Sequence, residues 1–177
     1  VRPAQCLRIA DLVCVGEGEQ AIVELARRMA EGRDYSDVGN LARLDTAGQV
    51  VRNALYPLQD DLDSLPFPDY DFAQHYLLHE GRIVPCTEAL LYFHLTDLGR
   101  WTDGPVYNVL TTRGCPYRCS YCVNHVLASI YPNWCRLRRR SPASVVAEIQ
   151  AIRARLPDIA ALTIRDETLL ANPQSYI

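Results

Sequence analysis

Thr111-Thr-Arg-Gly-Cys115-Pro-Tyr-Arg-Cys119-Ser-Tyr-Cys122 is the stretch on which the reading of this chain turns. It follows a strand-like run, Val106 to Thr111, and it sets three cysteines at x3 and x2 spacing. On one tight loop that spacing lets three thiolates face one point. A 4Fe–4S cube held by three Cys keeps one iron without a protein ligand, open to a substrate or cofactor. Gly114 and Pro116 help the loop turn sharply, and Arg113 and Arg118 offset the charge of ionised thiols. Structural zinc is the rival reading. It asks for four ligands, and Cys135 is the nearest fourth. The chain holds 7 Cys, an odd number, and the crowding of three of them suits ligation better than ring-closing disulfides.

Downstream, Ser141-Pro142 opens a helix, with Ser as N-cap and Pro at the first helical position. Val145, Val146, Ile149, Ile152 and Leu156 form its apolar stripe, Pro157 ends it, and Ala160 to Ile164 is the next strand. Strand, loop, helix and strand in this order make a βαβ unit, hence a parallel sheet or barrel. Upstream, Ala10 to Gly16 reads as a buried strand of a parallel sheet covered on both faces. The turn Gly16-Glu17-Gly18-Glu19 leads into a helix with Ala21, Ile22, Leu25, Ala26 and Met29 on its apolar face. Small residues at such a strand end let a ligand approach the backbone. Asn40 to Asn53 reads as a hairpin about Gly48, and Tyr56 to Asp71, rich in Pro and Asp, as an extended linker. Phe72 to His79 is expected as a short helix and Glu88 to Leu98 as a longer one.

The string TTRGCPYRCSYC resembles the cluster loop of radical S-adenosylmethionine (SAM) enzymes, whose signature is CxxxCx(aromatic)C after the first strand of a partial barrel. Here the aromatic is Tyr121. The resemblance implies that Cys115, Cys119 and Cys122 bind a 4Fe–4S cluster and that Tyr121 lies near the adenine of SAM. It implies that an electron from the cluster cleaves SAM to methionine and a 5′-deoxyadenosyl radical. Strand two ends Arg165-Asp166-Glu167, similar to the acidic pair of the cobalamin-associated branch, so Asp166 and Glu167 are expected at the amino end of SAM. The Gly16–Glu19 turn, the hairpin and the DDLDSLPFPDYDF linker together resemble the exit from a cobalamin (B12)-binding domain into such a barrel. By that likeness Gly16, Glu17, Gly18 and Glu19 belong to the cobalamin side. The implied fold is α/β: the end of a Rossmann-like cobalamin-binding domain (1–31), a hairpin and linker region (32–104), and the first βα units of a partial (β/α)6 TIM-like radical SAM barrel (105–177). The implied enzyme is cytoplasmic, takes electrons from a reductant such as a flavodoxin or ferredoxin, and performs cobalamin-dependent methyl transfer or another radical modification. A radical SAM methylthiotransferase and a non-catalytic zinc or iron–sulfur module are the alternatives.

The remaining features are plainer. The net charge is −3, every one of the 18 basic residues being Arg. It divides into −7 through residue 100 and +4 beyond, which suits an anionic ligand in the second half. There is no aromatic-interleaved basic stripe that would signal nucleic acid. No apolar run approaches the ~18 residues of a membrane span. The chain does not open on Met, so it reads as an internal stretch of a longer protein. His75 and His79, four apart, are expected on an exposed helix surface. His94 is expected in the core and His125 at the surface or lining the SAM site. Cys6, Cys14, Cys86 and Cys135 are expected as small buried apolar residues.

Overall fold

The computed structural model describes residues 2–98, 102–166 and 168. In chain order its elements are α1 (Pro3–Cys6), β1 (Val13–Cys14), α2 (Glu19–Ala30), β2 (Leu41–Leu44), β3 (Val50–Arg52), β4 (Tyr76–His79), β5 (Arg82–Pro85), α3 (Glu88–Leu98), β6 (Val106–Val109), β7 (Thr112–Arg113), α4 (Val123–Ile130), β8 (Arg138–Arg139), α5 (Pro142–Arg155) and β9 (Ala161–Ile164). The chain divides into two compact units, residues 1–60 with 116–136, and residues 61–115 with 137–177.

In the first unit β1, β2 and β3 form one antiparallel sheet. The hairpin between β2 and β3 is the expected one. Asp45 closes it: its Oδ1 accepts from the amides of Ala47 at 2.9 Å and Gln49 at 2.8 Å, and Gly48 takes the left-handed φ of 75° that the turn requires. The strand at 13–14 corrects the expectation of a parallel neighbour. Val13 pairs with Ala42 and Cys14 with Leu41, both antiparallel. An apolar run announces burial but not the direction of its partner. Leu7, Val15 and Ala42 make one core cluster, joined by Ile130 from α4. Ala21 and Leu25 of α2 pack with Val38 and Leu41 in a second. The outer face of α2 carries Glu24–Arg28 and Arg27–Glu31 pairs at helical spacing, solvent-screened contacts that add little to stability.

In the second unit β6 and β9 lie parallel, Val106 beside Ala161 through Val109 beside Ile164. Helix α5 returns the chain between them, which is the βαβ unit read from the sequence. Ser141 caps α5, its Oγ accepting from the Ser144 amide at 3.1 Å, with Pro142 in the first turn. Tyr107, Val109, Ile152, Leu156 and Leu95 form the core. The Tyr107 hydroxyl donates to Glu148 Oε1 at 2.6 Å, and Glu148 also pairs with Arg140. A carboxylate only 4% exposed is tolerable there because both oxygens are engaged. Burial, then the bond to Glu148, pushes the Tyr107 phenol well above its ordinary range.

The stretch 72–79 departs from expectation. It holds a single 3₁₀ turn, Phe72–Gln74, and then β4, which pairs antiparallel with β5. His75 and His79 therefore share no helix face. Glu80 and Gly81, at φ 48° and 75°, form the two-residue left-handed connection that favours a hairpin. The linker 56–71 carries only one short 3₁₀ turn, Leu62–Ser64, as its composition predicts. Strands β1 and β6 belong to different sheets.

Candidate functional site

The Cys-rich loop starts in the second unit and continues into the first. Its beginning is gripped from the end of β9. The Thr111 amide donates to Asp166 Oδ1 at 2.7 Å and the Thr112 amide to the same oxygen at 3.0 Å, while the Thr111 hydroxyl donates to Oδ2. Three donors converge on one carboxylate, so Asp166 holds the peptides that lead into Cys115. The strand register makes this possible: β6 and β9 run parallel, and their C-terminal ends share a level. Arg140 adds a second tie, its amide donating to the Thr111 carbonyl at 2.9 Å. Thr112 and Arg113 pair with Arg139 and Arg138. Glu167 lies outside the described residues.

All seven cysteines are free thiols. Cys115 is buried, Cys122 half-buried and Cys119 exposed. The Cys122 amide donates to the Cys119 carbonyl at 3.0 Å, closing the tight turn that the x2 spacing calls for. Tyr121, 91% exposed, stands beside both thiols. The charge and hydrogen bond of Cys119, with a lesser effect from Cys122, hold its phenol above the ordinary value. Among the described residues no three His, Cys, Asp or Glu side chains are already gathered around one point. The donor chemistry suits a soft metal nonetheless: three unpaired thiols in eight residues, and a side-chain N–H on one of the sulfurs.

The Gly16–Glu19 turn is built differently from what its composition suggests. Gly16 has φ 93°, and a Cβ there would lie 2.1 Å from the Tyr131 hydroxyl oxygen. The space above this glycine is filled by a tyrosine ring of the chain itself. Glu17 Oε2 accepts from the Gln59 amide at 2.9 Å. Gly18 and Glu19 instead border an open cavity of about 450 Å³ lined also by Leu12, Cys14, Ile22 and Leu25. Burial, then the charge of Glu19, raises the Cys14 thiol.

The expected cysteine burial holds only in part. Cys86 is buried and Cys135 half-buried, but Cys6 and Cys14 are exposed, because α1 is a single turn and β1 only two residues long. His125 is exposed in the first turn of α4. His94 lies edge-on to His79 and Phe93, and its buried Nε2 has no hydrogen-bond partner among the described residues. Sequence reading passed over Asn40, Asn124, Tyr131 and Trp134. Asn40 carries one hint, an Asn next to Gly39 before a strand, where it adopts φ 64°.

No family model matches the chain. It is 26% identical over 170 residues, 94% of its length, to the anaerobic magnesium-protoporphyrin IX monomethyl ester cyclase of Rubrivivax gelatinosus. It is 28% identical over 123 residues, 69% of its length, to an uncharacterised methyltransferase of Pyrococcus horikoshii. The chain spans 26% and 21% of these relatives. Among solved structures it is similar to the radical SAM methyltransferase TsrM of Kitasatospora setae, solved with cobalamin and a [4Fe–4S] cluster bound (TM-score 0.51, 21% identity, 93% of this chain and 28% of that one). It is also similar to the cobalamin-dependent SAM radical enzyme OxsB, solved with aqua-cobalamin and SAM (TM-score 0.60, 17% identity, 93% of this chain and 19% of that one). The chain thus carries the three-cysteine motif and shares a mixed α/β fold with solved cobalamin-dependent radical SAM enzymes.

Proposed function

We propose that this chain is the part of a B12-associated radical SAM enzyme in which a cobalamin-binding domain ends and the radical SAM barrel begins. Residues 1–31 close the Rossmann-like domain, 32–104 connect, and 105–177 open the barrel. The observation that carries the reading is the cluster motif itself, set directly after β6 of a parallel βαβ unit and anchored at its start by Asp166. Cys115, Cys119 and Cys122 are the thiolates that would hold a 4Fe–4S cluster. Such a cluster supplies, when bound, the electron that cleaves SAM to methionine and a 5′-deoxyadenosyl radical.

The chain's own residues would do the rest. Tyr121 offers an exposed aromatic face for the adenine. Asp166 positions the loop, and Glu167 is assigned to the amino end of SAM. With Gly16 and Glu17 occupied by Tyr131 and Gln59, cobalamin would be met by Gly18 and Glu19 at their open cavity. Methyl transfer is the outcome proposed, as one curated relative and TsrM are named methyltransferases, and a flavodoxin or ferredoxin is the reductant proposed. None of the described helices is long and apolar enough to cross a membrane.

The test is anaerobic reconstitution of the full-length protein, with iron, sulfide, the ~400 nm absorbance of thiolate-bound iron and 5′-deoxyadenosine all measured. Single Cys115→Ala, Cys119→Ala and Cys122→Ala variants are expected to lose the cluster. Unchanged iron in all three overturns the assignment. One zinc per chain with no absorbance turns the reading to a non-catalytic module.

A further inference from the structure

Two residues past the last cysteine of the motif, Asn124 is buried to 6% exposure in the first turn of α4. A buried primary amide has two donors and one carbonyl to satisfy. Its Oδ1 accepts from Trp134 Nε1 at 3.0 Å. An indole N–H only donates, so it decides which end of the amide faces it. The reverse orientation would set N–H against N–H. The Nδ2 end is thereby turned toward Cys122, and it donates to Sγ at 3.6 Å.

Trp134 is itself held in place. Its ring stacks on Tyr131, centroids 6.0 Å apart at 28°. The Tyr131 hydroxyl accepts from Asn40 Nδ2 at 3.1 Å, and the same Nδ2 donates to the Glu17 carbonyl at 2.6 Å. Asn40 Oδ1 accepts from the Tyr56 amide at 2.5 Å. A continuous run of buried and half-buried contacts thus leads from the Gly16 turn to the Cys122 sulfur, all inside the first compact unit.

We infer that Asn124 is a positioning residue for the iron–sulfur cluster, donating an amide N–H to the Cys122 thiolate, with Trp134 fixing that donor in place. The inference rests on the cluster reading proposed above. Its effect is on reduction. An added electron makes the cluster and its thiolates more negative, and a donor aimed at one sulfur stabilises that state more than the oxidised one. The pair therefore raises the reduction potential of the cluster. An amide that merely filled a gap between α4 and Trp134 would alter stability and leave the potential alone.

The experiment is a reductive titration of the reconstituted full-length protein, following the paramagnetic signal of the one-electron-reduced cluster alongside iron content and melting temperature. Asn124→Leu is expected to keep its iron and to move the midpoint to a more negative potential. Trp134→Phe, which leaves the amide but frees its orientation, is expected to move it in the same direction by less. If Asn124→Leu does not fold, Trp134→Phe decides alone. Full iron with the wild-type midpoint in the variants that fold overturns the inference and leaves the cluster reading standing. A wild-type protein that takes up no iron–sulfur cluster overturns both.

Discussion

Asp166, which the sequence places with Glu167 at the amino end of SAM, accepts from Thr111 and Thr112 through its carboxylate. Removing that carboxylate leaves two amides and a hydroxyl short of an acceptor at the root of the cluster loop. Asp166→Asn keeps the shape but presents an amide donor to one of those donors. It is expected to destabilise the protein by about 1.5–3 kcal/mol, read by denaturant unfolding, and to lower iron incorporation before it lowers SAM affinity. Normal iron content with lost SAM affinity would return Asp166 to the role expected from the sequence. Gly16 makes a second case. Gly16→Ala forces a Cβ into the Tyr131 ring at a left-handed φ, so a loss of about 1–3 kcal/mol is expected even without cobalamin. Pairing it with Tyr131→Ala should relieve part of that loss, a non-additivity measured in a double-mutant cycle. Strict additivity would mean the ring is not what excludes the side chain.

At the level of elements, what the sequence disclosed was what local chemistry decides. Ser141 and Pro142 mark the start of α5 because capping and a fixed φ act within one turn, and the helix begins where they say. The hairpin of β2 and β3 follows from Asp45 and Gly48 in the same way. The apolar run before Gly16 signals a strand but not its antiparallel partner, because that partner lies 27 and 29 positions on, at Leu41 and Ala42. The stretch 72–79 is a 3₁₀ turn and a strand in place of the expected helix. The spacing of His75 and His79 suggests a helix, whereas Tyr76 and Leu78 share the exposed face of β4 and the left-handed pair Glu80 and Gly81 turns the chain into β5. The cysteines and Tyr121 were legible because the motif is contiguous. Asn40 and Tyr131 were not, because their contact joins residues 91 apart. Two measurements belong at this level. Ser141→Ala removes the cap of α5 and should cost about 1 kcal/mol, read by chemical denaturation. The Ser141 amide also donates to Asp63 Oδ1 at 2.9 Å, and bonds from Ser141 hold that carboxyl below its ordinary value. A carboxyl depressed by folding stabilises fully above its unfolded value and ceases to do so as pH falls through the folded one. The Asp63 contribution is thus complete above the ordinary carboxylate range and is lost as pH falls through the depressed folded value. Asp63→Asn should flatten the acid limb of the stability curve slightly, as the group is exposed. An unchanged limb would show the bond does not persist in solution.

For the molecule as a whole, each compact unit has a core of its own, so damage to one should be felt there first. Ile152→Ala, at a site 5% exposed in the second unit, should cost about 2–4 kcal/mol. Amide exchange should quicken in β6 and β9 and stay unchanged in β1, β2 and β3; uniform quickening would make the two cores one cooperative body. The composition of the first unit, residues 1–60 with 116–136, also has a consequence for how the protein is made. A ribosome delivers residues in order. When residue 60 has emerged, Gly16 still lacks the ring of Tyr131 and the cluster of Leu7, Val15 and Ala42 still lacks Ile130. At about 5–20 residues per second, the missing segment arrives roughly 4–15 s later, after the intervening stretch of the other unit has already left the exit tunnel. The nascent N-terminal piece must wait with apolar surface uncovered, and the segment that ends the wait is the one that carries two of the three motif cysteines.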